Sequence, residues 1–468
     1  MLKQTFRKLF VLILGILICF IFDITDLNKD LSFDEKIALR MVLLMIFLWL
    51  TELIPISITA LLPILFSPFF AEIKFVEIAK HYSSPVVFLL LGGFIIAQGF
   101  ERSKLHQRVA LKALLIFGDT REKILICVIF STAFFSMWLS NTATCLLMLP
   151  IVSNILDNNF RKPEDFFFTR ILILSIAYAS SIGGMATPIG TIPNATMVSF
   201  LNENHDMEID FIEWFKFSFP LVLILLIFLS TFLKFKFKDR NNKIERKYIF
   251  KKYKDLGHIT RAEKLTICII LITLSLWILK RYVNDFFHIS LTDSSIAIFG
   301  SILFFIVPFN KNSPILEFDW YKKIPWNVLV LFGGGLSMAS LIMSTGLADE
   351  LSKILNIINI FDLLVIIFLI SLVTSFMTEF TSNTATTFLL LPLLSTFAVN
   401  NQIDILLLTF PFVFAASCAF MMPIATPPNA IVYSSNKFKI SFMVSNGFFI
   451  NIMSIIIISL YVFIFGKN

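Results

Sequence analysis

The sequence predicts an all-α polytopic membrane protein, an inverted repeat with eleven transmembrane helices, two opposed re-entrant hairpins and two broken helices. Three observations carry this expectation. The 468 residues are 57% hydrophobic and only 15% charged, with a mean hydropathy of +0.84, a composition that leaves no room for a large water-facing domain. The pentapeptide Ser-Asn-Thr-Ala-Thr occurs twice, at 140–144 and 382–386, each time followed by a leucine-rich run and a proline, Pro150 or Pro392. Two proline-containing stretches, "GTIPNA" at 190–195 and "ATPPNA" at 425–430, follow in the same order.

A helix crossing a hydrocarbon layer of ~30 Å needs about 20 mostly apolar residues. Apolar cores recur at 10–22, 41–50, 54–70, 86–98 and 124–137, and onward to 452–465. The first reads as a span and not as a removable signal peptide, because it runs into Phe-Asp-Ile-Thr-Asp without a small-residue cleavage site. Basic residues crowd the stretch from Lys234 to Lys264, including Lys236, Lys238, Arg240, Lys243, Arg246, Lys247, Lys251, Lys252, Lys254 and Arg261. In so apolar a chain this is a cytoplasmic loop obeying the positive-inside rule, not a nucleic-acid surface. Lys3, Arg7 and Lys8 place the N-terminus in the cytoplasm by the same rule, with the acidic stretches around Asp23 to Glu35 and Glu203 to Glu213 outside.

Enzyme chemistry finds little to work with. Cys19, Cys127, Cys145, Cys268 and Cys418 all lie inside apolar runs without metal-ligand or redox spacing, and read as small core residues. The histidines are scattered near expected span ends, and neither His nor Asp lies in the repeated motifs. No zinc site or hydrolase triad can be assembled.

Self-similarity organises the rest. At the offset that lays Ser140 on Ser382, Pro150 meets Pro392 and Gly92-Gly93 meets Gly334-Gly335; a short deletion later, "GTIPNA" meets "ATPPNA". Around each pentapeptide two short apolar arms flank a few polar residues, and around the first one charges at both outer ends lie on one side. Each unit therefore contains a re-entrant hairpin with the pentapeptide at its tip. Five crossings per unit after one lead-in span insert the second unit upside down, so that the tips face each other. The expected organisation is a first scaffold part at 1–82, then a first transport part at 83–235 with its hairpin at 122–157 and broken helix at 168–200. A cytoplasmic basic loop follows at 236–261, and a second scaffold part at 262–322. The second transport part is 323–468, with its hairpin at 361–397 and broken helix at 404–436.

This is the architecture of secondary transporters, whose sites lie among broken helices at the membrane midplane. Hydroxyls and primary amides can both donate and accept, and helix N-termini behind the tips add partial positive charge. The motifs hold no Lys, Arg or His. A dianion entering such a site must be neutralised by something that arrives with it, and co-bound Na⁺ would couple binding to the ion gradient.

Paired Ser-Asn-Thr motifs on opposed hairpins, with "GT-x-PN" and "ATPPN" breaks, resemble the divalent anion:sodium symporter family, which includes dicarboxylate and citrate carriers. The likeness runs from "LTELIPISITALLP" at 50–63 to the last span. It implies a homodimer of eleven-span protomers in a bacterial inner membrane, working by an elevator movement. The first sodium site would use Ser136, Ser140, Asn141 and the carbonyl of Gly190; the second would use Thr378, Ser382, Asn383 and the carbonyl of Ala425. Ser136 and Thr378 precede Ser140 and Ser382 at a spacing that predicts one helix face for each pair. The carboxylate site would use Ser140, Asn141, Thr142, Thr191, Ser382, Asn383, Thr384 and Thr426, lined by Pro427. The activity implied is sodium-coupled uptake of a C4-dicarboxylate such as succinate, malate or fumarate. Sodium-independent exchange, and citrate or sulfate as substrate, are the alternatives. Ile192 departs from the family's usual Gly or Pro and bears on the size of the anion accepted. Of the polar residues left over, Glu52 reads as structural, and Glu379, with Met137 at its place in the first unit, has no assigned role.

Overall fold

In an apolar surrounding, a backbone satisfies its own amides and carbonyls most completely as helix. The computed structural model follows that rule and describes residues 13–15, 17, 31–160, 162, 165–237, 247–310 and 313–466. The core of the lead-in span at 10–22, with Cys19, lies mostly outside the described residues, as do Lys238, Arg240, Lys243 and Arg246 of the basic loop. Among the described residues six helices are long and apolar enough to cross a membrane: Phe75–Arg102, Phe166–Gly184, Phe211–Phe235, Arg261–Phe287, Trp326–Ser344 and Ile440–Phe465. Shorter apolar helices add to them, and the chain is a multi-pass membrane protein.

The helices that build the candidate site are, in order, α1 (Arg121–Ser136), α2 (Asn141–Asn159), α3 (Phe166–Gly184), α4 (Ile192–Asn204), α5 (Phe211–Phe235), α6 (Leu363–Thr378), α7 (Asn383–Asn400), α8 (Ile405–Ala416), α9 (Pro427–Tyr433) and α10 (Ile440–Phe465). The start of α5 is fixed by a capping box, in which Asp210 accepts from the Glu213 amide and Glu213 from that of Asp210. α1 and α2 form one helical hairpin and α6 and α7 another; α3–α4 and α8–α9 are helices interrupted by an unwound segment.

Packing crosses between the halves. α3 lies along α1 and α2, and α8 along α6 and α7. The short arm of each broken helix leans on the opposite half: α9 packs against α2 and α3, while α4 packs against α7 and α8. Gly183 on α3 sits so close to the Ala133 backbone of α1 that a Cβ there would overlap it. At the matching place in the second half the contact is a hydrogen bond, with Ser375 Oγ donating to the Cys418 carbonyl at 2.7 Å. The segment entering Pro85–Arg102 is tied to the end of α4 by Glu203, which meets His81 Nδ1 at 3.1 Å and accepts from Ser84 Oγ at 2.7 Å.

The structure adds two details to the expected organisation and corrects one expectation. The chain is not purely helical: Pro308–Asn310 and Ser313–Pro314 pair as a two-stranded antiparallel ribbon, because Pro308 cannot continue the preceding helix and the chain reverses until the Leu316 amide reaches the Phe304 carbonyl at 3.1 Å. The basic loop contains a helix, Lys247–Asp255, whose Ile249 is buried while Lys251, Lys252 and Lys254 are exposed. Cys127, Cys145 and Cys418 are buried, but Cys268 is exposed on the outer face of Arg261–Phe287.

Gly183→Val should force α1 away from α3 and cost about 1–3 kcal/mol, the usual range for overpacking. Thermal unfolding of the detergent-solubilised protein should show a lowered midpoint, with Ser375→Ala, which removes only one hydrogen bond, milder.

Candidate functional site

Each pentapeptide opens a helix. Ser140 is extended (φ −61°, ψ 148°) and its side chain accepts from the Ala143 amide at 3.3 Å. Ser382 (φ −68°, ψ 126°) does the same for Ala385 at 3.5 Å. Serine is a favoured N-cap for this reason, and the amides of the first turn that follow it lack intrahelical partners and carry the positive end of the helix dipole. The hairpin arms end at Ser136 and Thr378, and the next helices begin at Asn141 and Asn383. Ser136/Ser140 and Thr378/Ser382 therefore straddle a turn and do not share a helix face as their spacing predicts. Four residues span one helical turn only while the helix continues.

The breaks are built alike. Thr191 (φ −145°, ψ 147°) and Thr426 (φ −142°, ψ 149°) cap the short arms in nearly the same conformation. Just inside each arm an asparagine reaches back over the unwound segment. Asn194 Nδ2 donates to the carbonyls of Gly184, Met185 and Thr187 at 3.1, 3.2 and 2.8 Å. Asn429 Nδ2 donates to those of Ala419 and Met422, both at 2.9 Å. Trp214 Nε1 and Ser218 Oγ from α5 hold the Met185 and Ala186 carbonyls at 3.1 and 2.9 Å. Sequence reasoning missed these four residues, although the shared Pro-Asn-Ala of the two breaks was a signal for the asparagines.

In the first half Ser136, Asn141 and Gly190, three of the residues expected around a cation, lie together through Gly184. Ser136 Oγ donates to Asn141 Oδ1 at 2.7 Å. Gly184 lies against that oxygen, and Gly190 against the Gly184 carbonyl, each so closely that a Cβ would collide. In the second half Thr378 Oγ1 donates to the Ser375 carbonyl at 3.0 Å, and Asn383 Oδ1 is buried without a hydrogen-bond partner among the described residues. Such hard, neutral oxygens suit a monovalent cation. Among the described residues no group of three His, Cys, Asp or Glu side chains could hold a metal ion.

Accessibility divides the candidates. Ser140, Asn141, Thr142, Thr191, Ser382, Asn383 and Ala425 are half-buried, Pro427 is exposed, Thr384 and Thr426 are buried near that boundary, and Ser136, Gly190 and Thr378 lie fully inside. The cross-packing of α9 on α2 and of α4 on α7 brings each break to the opposite hairpin. No hydrogen bond joins Ser140–Thr142 to Ser382–Thr384 among the described residues. A cavity of about 560 Å³ lies at the base of the second hairpin, lined by Asn359, Phe361, Asn401 and Asp404, and holds none of these residues.

Glu379 acquires a structural account. It is wholly buried and accepts from the Met421 and Met422 amides at 2.8 and 2.9 Å and from Asn451 Nδ2 of α10 at 2.7 Å. Every one of these partners is a donor, so a carboxylate there clamps the second break to its hairpin. In the first half, Thr187 Oγ1 donates to the Met137 carbonyl at 2.6 Å instead. Glu52, by contrast, is an exposed left-handed C-cap (φ 46°).

Glu379→Ala strands two amides and one side-chain NH₂ in an apolar site. At about 1–3 kcal/mol for a stranded buried group, it should lower the thermal midpoint strongly, and Glu379→Gln should fall between it and the parent protein.

The chain is similar to known transporters. The sodium-dependent dicarboxylate transporter SdcS of Staphylococcus saprophyticus is 36% identical over 430 residues, covering 89% of this chain and 83% of that protein. SdcS of Staphylococcus aureus strain RF122 is 36% identical over 450 residues, covering 93% of this chain and 86% of that protein. Among solved structures, the YdaH transporter of Alcanivorax borkumensis superposes with a TM-score of 0.55 at 11% identity, covering 83% of this chain and 87% of that one, a likeness of fold alone. From residue 3 to residue 468 the chain belongs to the transporter family described as "Sodium:sulfate symporter transmembrane region".

Proposed function

We propose that this protein couples sodium entry to uptake of a C4-dicarboxylate, such as succinate, malate or fumarate, across a bacterial inner membrane. The observation that carries the reading is the pair of serine-capped helix N-termini, each beside a small cluster of neutral oxygens, with no fixed basic residue in the motifs. The sodium-dependent dicarboxylate transporters that are 36% identical to this chain support it.

On this reading sodium occupies the clusters at Ser136, Ser140, Asn141 and Gly190, and at Thr378, Ser382, Asn383 and Ala425. The dianion meets the half-buried side chains of Ser140, Asn141, Thr142, Thr191, Ser382, Asn383, Thr384 and Thr426, beside Pro427. Nothing permanent in the motifs neutralises it, so sodium must be bound for it to enter. If more than two Na⁺ accompany a dianion, net charge moves, worth about 2.3 kcal/mol per charge per 100 mV. Eleven spans in two inverted units, a homodimer, a cytoplasmic N-terminus and an elevator movement of the hairpins and broken helices against the remaining helices complete the proposal. Sulfate is the rival substrate, since the family's description names it.

In proteoliposomes, labelled succinate should accumulate against its gradient when sodium is higher outside. Accumulation indifferent to sodium, or counterflow running without it, would replace symport by exchange. Unlabelled fumarate and malate should compete better than sulfate; the reverse order would make sulfate the substrate. Asn141→Ala and Asn383→Ala should each reduce uptake at limiting sodium by roughly 10- to 100-fold, the range for one hydrogen bond to a charged group.

A further inference from the structure

The two breaks share a feature that the sodium-coupled reading does not use. In each, one carbonyl accepts two hydrogen bonds. The Thr187 carbonyl takes the Gly190 amide at 3.3 Å and Asn194 Nδ2 at 2.8 Å. The Met422 carbonyl takes the Ala425 amide at 3.2 Å and Asn429 Nδ2 at 2.9 Å. The turn that presents Gly190 or Ala425 is thus tied to the same atom that the asparagine holds. Asn194 also grips the Gly184 carbonyl, and Gly184 is packed against Asn141 Oδ1. In the second half Asn429 grips the Ala419 carbonyl at the corresponding place.

Both asparagines are wholly buried, and Asn194 Oδ1 and Asn429 Oδ1 have no hydrogen-bond partner among the described residues. Their orientation is settled by the surroundings: turned over, each Oδ1 would face two or three carbonyl oxygens. A primary amide kept in an apolar core with its acceptor unsatisfied is retained for its donors. An aliphatic residue of similar size would fill the space without that cost but would release the carbonyls.

We propose that Asn194 and Asn429 are the positioning residues of the two cation sites, one for each, by fixing the turns that carry Gly190 and Ala425. The inference rests on the sodium-coupled reading and goes beyond it, since neither side chain need touch the ion. Cation binding by backbone carbonyls depends on those carbonyls being held before the ion arrives. Loosening one turn should therefore weaken sodium binding at that site, while the dianion keeps its contacts on both hairpin tips and on the other break.

The test is sodium-dependent thermal stabilisation of the full-length protein in detergent, with Asn194→Ala, Asn429→Ala and the double variant. Each single variant should need about tenfold more sodium for half-maximal stabilisation, a typical size for one lost polar contact, and the double variant should lose the response. In proteoliposomes at saturating sodium, the KM of each single variant for succinate should stay within about twofold of the parent value. Asn194→Val and Asn429→Val, which fill most of the space without donating to the carbonyls, replace any alanine variant that does not fold and should shift sodium the same way. If the parent protein shows no sodium response, the sodium-coupled reading fails and takes this inference with it. If the parent responds and the variants respond at the same sodium concentration, or lose succinate affinity instead, the inference alone is overturned.

Discussion

A helix broken inside an apolar bundle must find partners for the carbonyls and amides it releases, and the rest of this structure depends on how that is done. At the end of α3 the carbonyls of Gly184, Met185, Ala186 and Thr187 are met by Asn194, Trp214 and Ser218. In the second half the Ala419 and Met422 carbonyls are met by Asn429 and the Met421 and Met422 amides by Glu379. Unpaired, each such group would cost several kcal/mol in hydrocarbon. With them satisfied, the polar groups left open at the two hairpin tips are the first-turn amides behind Ser140 and Ser382 and the oxygens beside them.

The same device is assembled from different parts in the two halves. A bare backbone contact, Gly183 on Ala133, stands where the second half uses the hydrogen bond from Ser375 to Cys418. A threonine hydroxyl on a carbonyl stands where the second half uses a buried carboxylate. In the second half an acidic side chain, Glu379, thus stands one residue from a candidate cation ligand, Thr378, where the first half has Met137. On the proposed reading the two cation sites therefore have unlike surroundings. Selectivity for a symmetric dianion does not require equal cation sites; it requires two helix N-termini of matched geometry, and Ser140 and Ser382 supply these.

Much of this was legible in the sequence because its signals are local. Repeated Ser-Asn-Thr-Ala-Thr marks two helix starts, and the prolines of "GTIPNA" and "ATPPNA" mark two interruptions, since N-cap and proline chemistry act within a turn. What stayed hidden depends on distance along the chain. Glu379 finds its partners at Met421, Met422 and Asn451, and Trp214 finds Met185; no periodicity encodes such pairings. Spacing misled in one place: Ser136 and Ser140 sit at helical separation, yet the helix ends between them. The small β-ribbon at Pro308–Pro314 and the helix inside the basic loop escaped notice because both are short and polar, in a chain read for long apolar runs.

The central claim is that neutral oxygens at paired helix ends admit a dianion only together with sodium. Equilibrium titration of succinate into the purified protein, in sodium and in a buffer with sodium replaced by choline, tests it most directly. The account predicts saturable binding in sodium and none measurable in choline. Binding of equal affinity in both buffers would contradict it, because the protein would then be neutralising the anion with groups of its own.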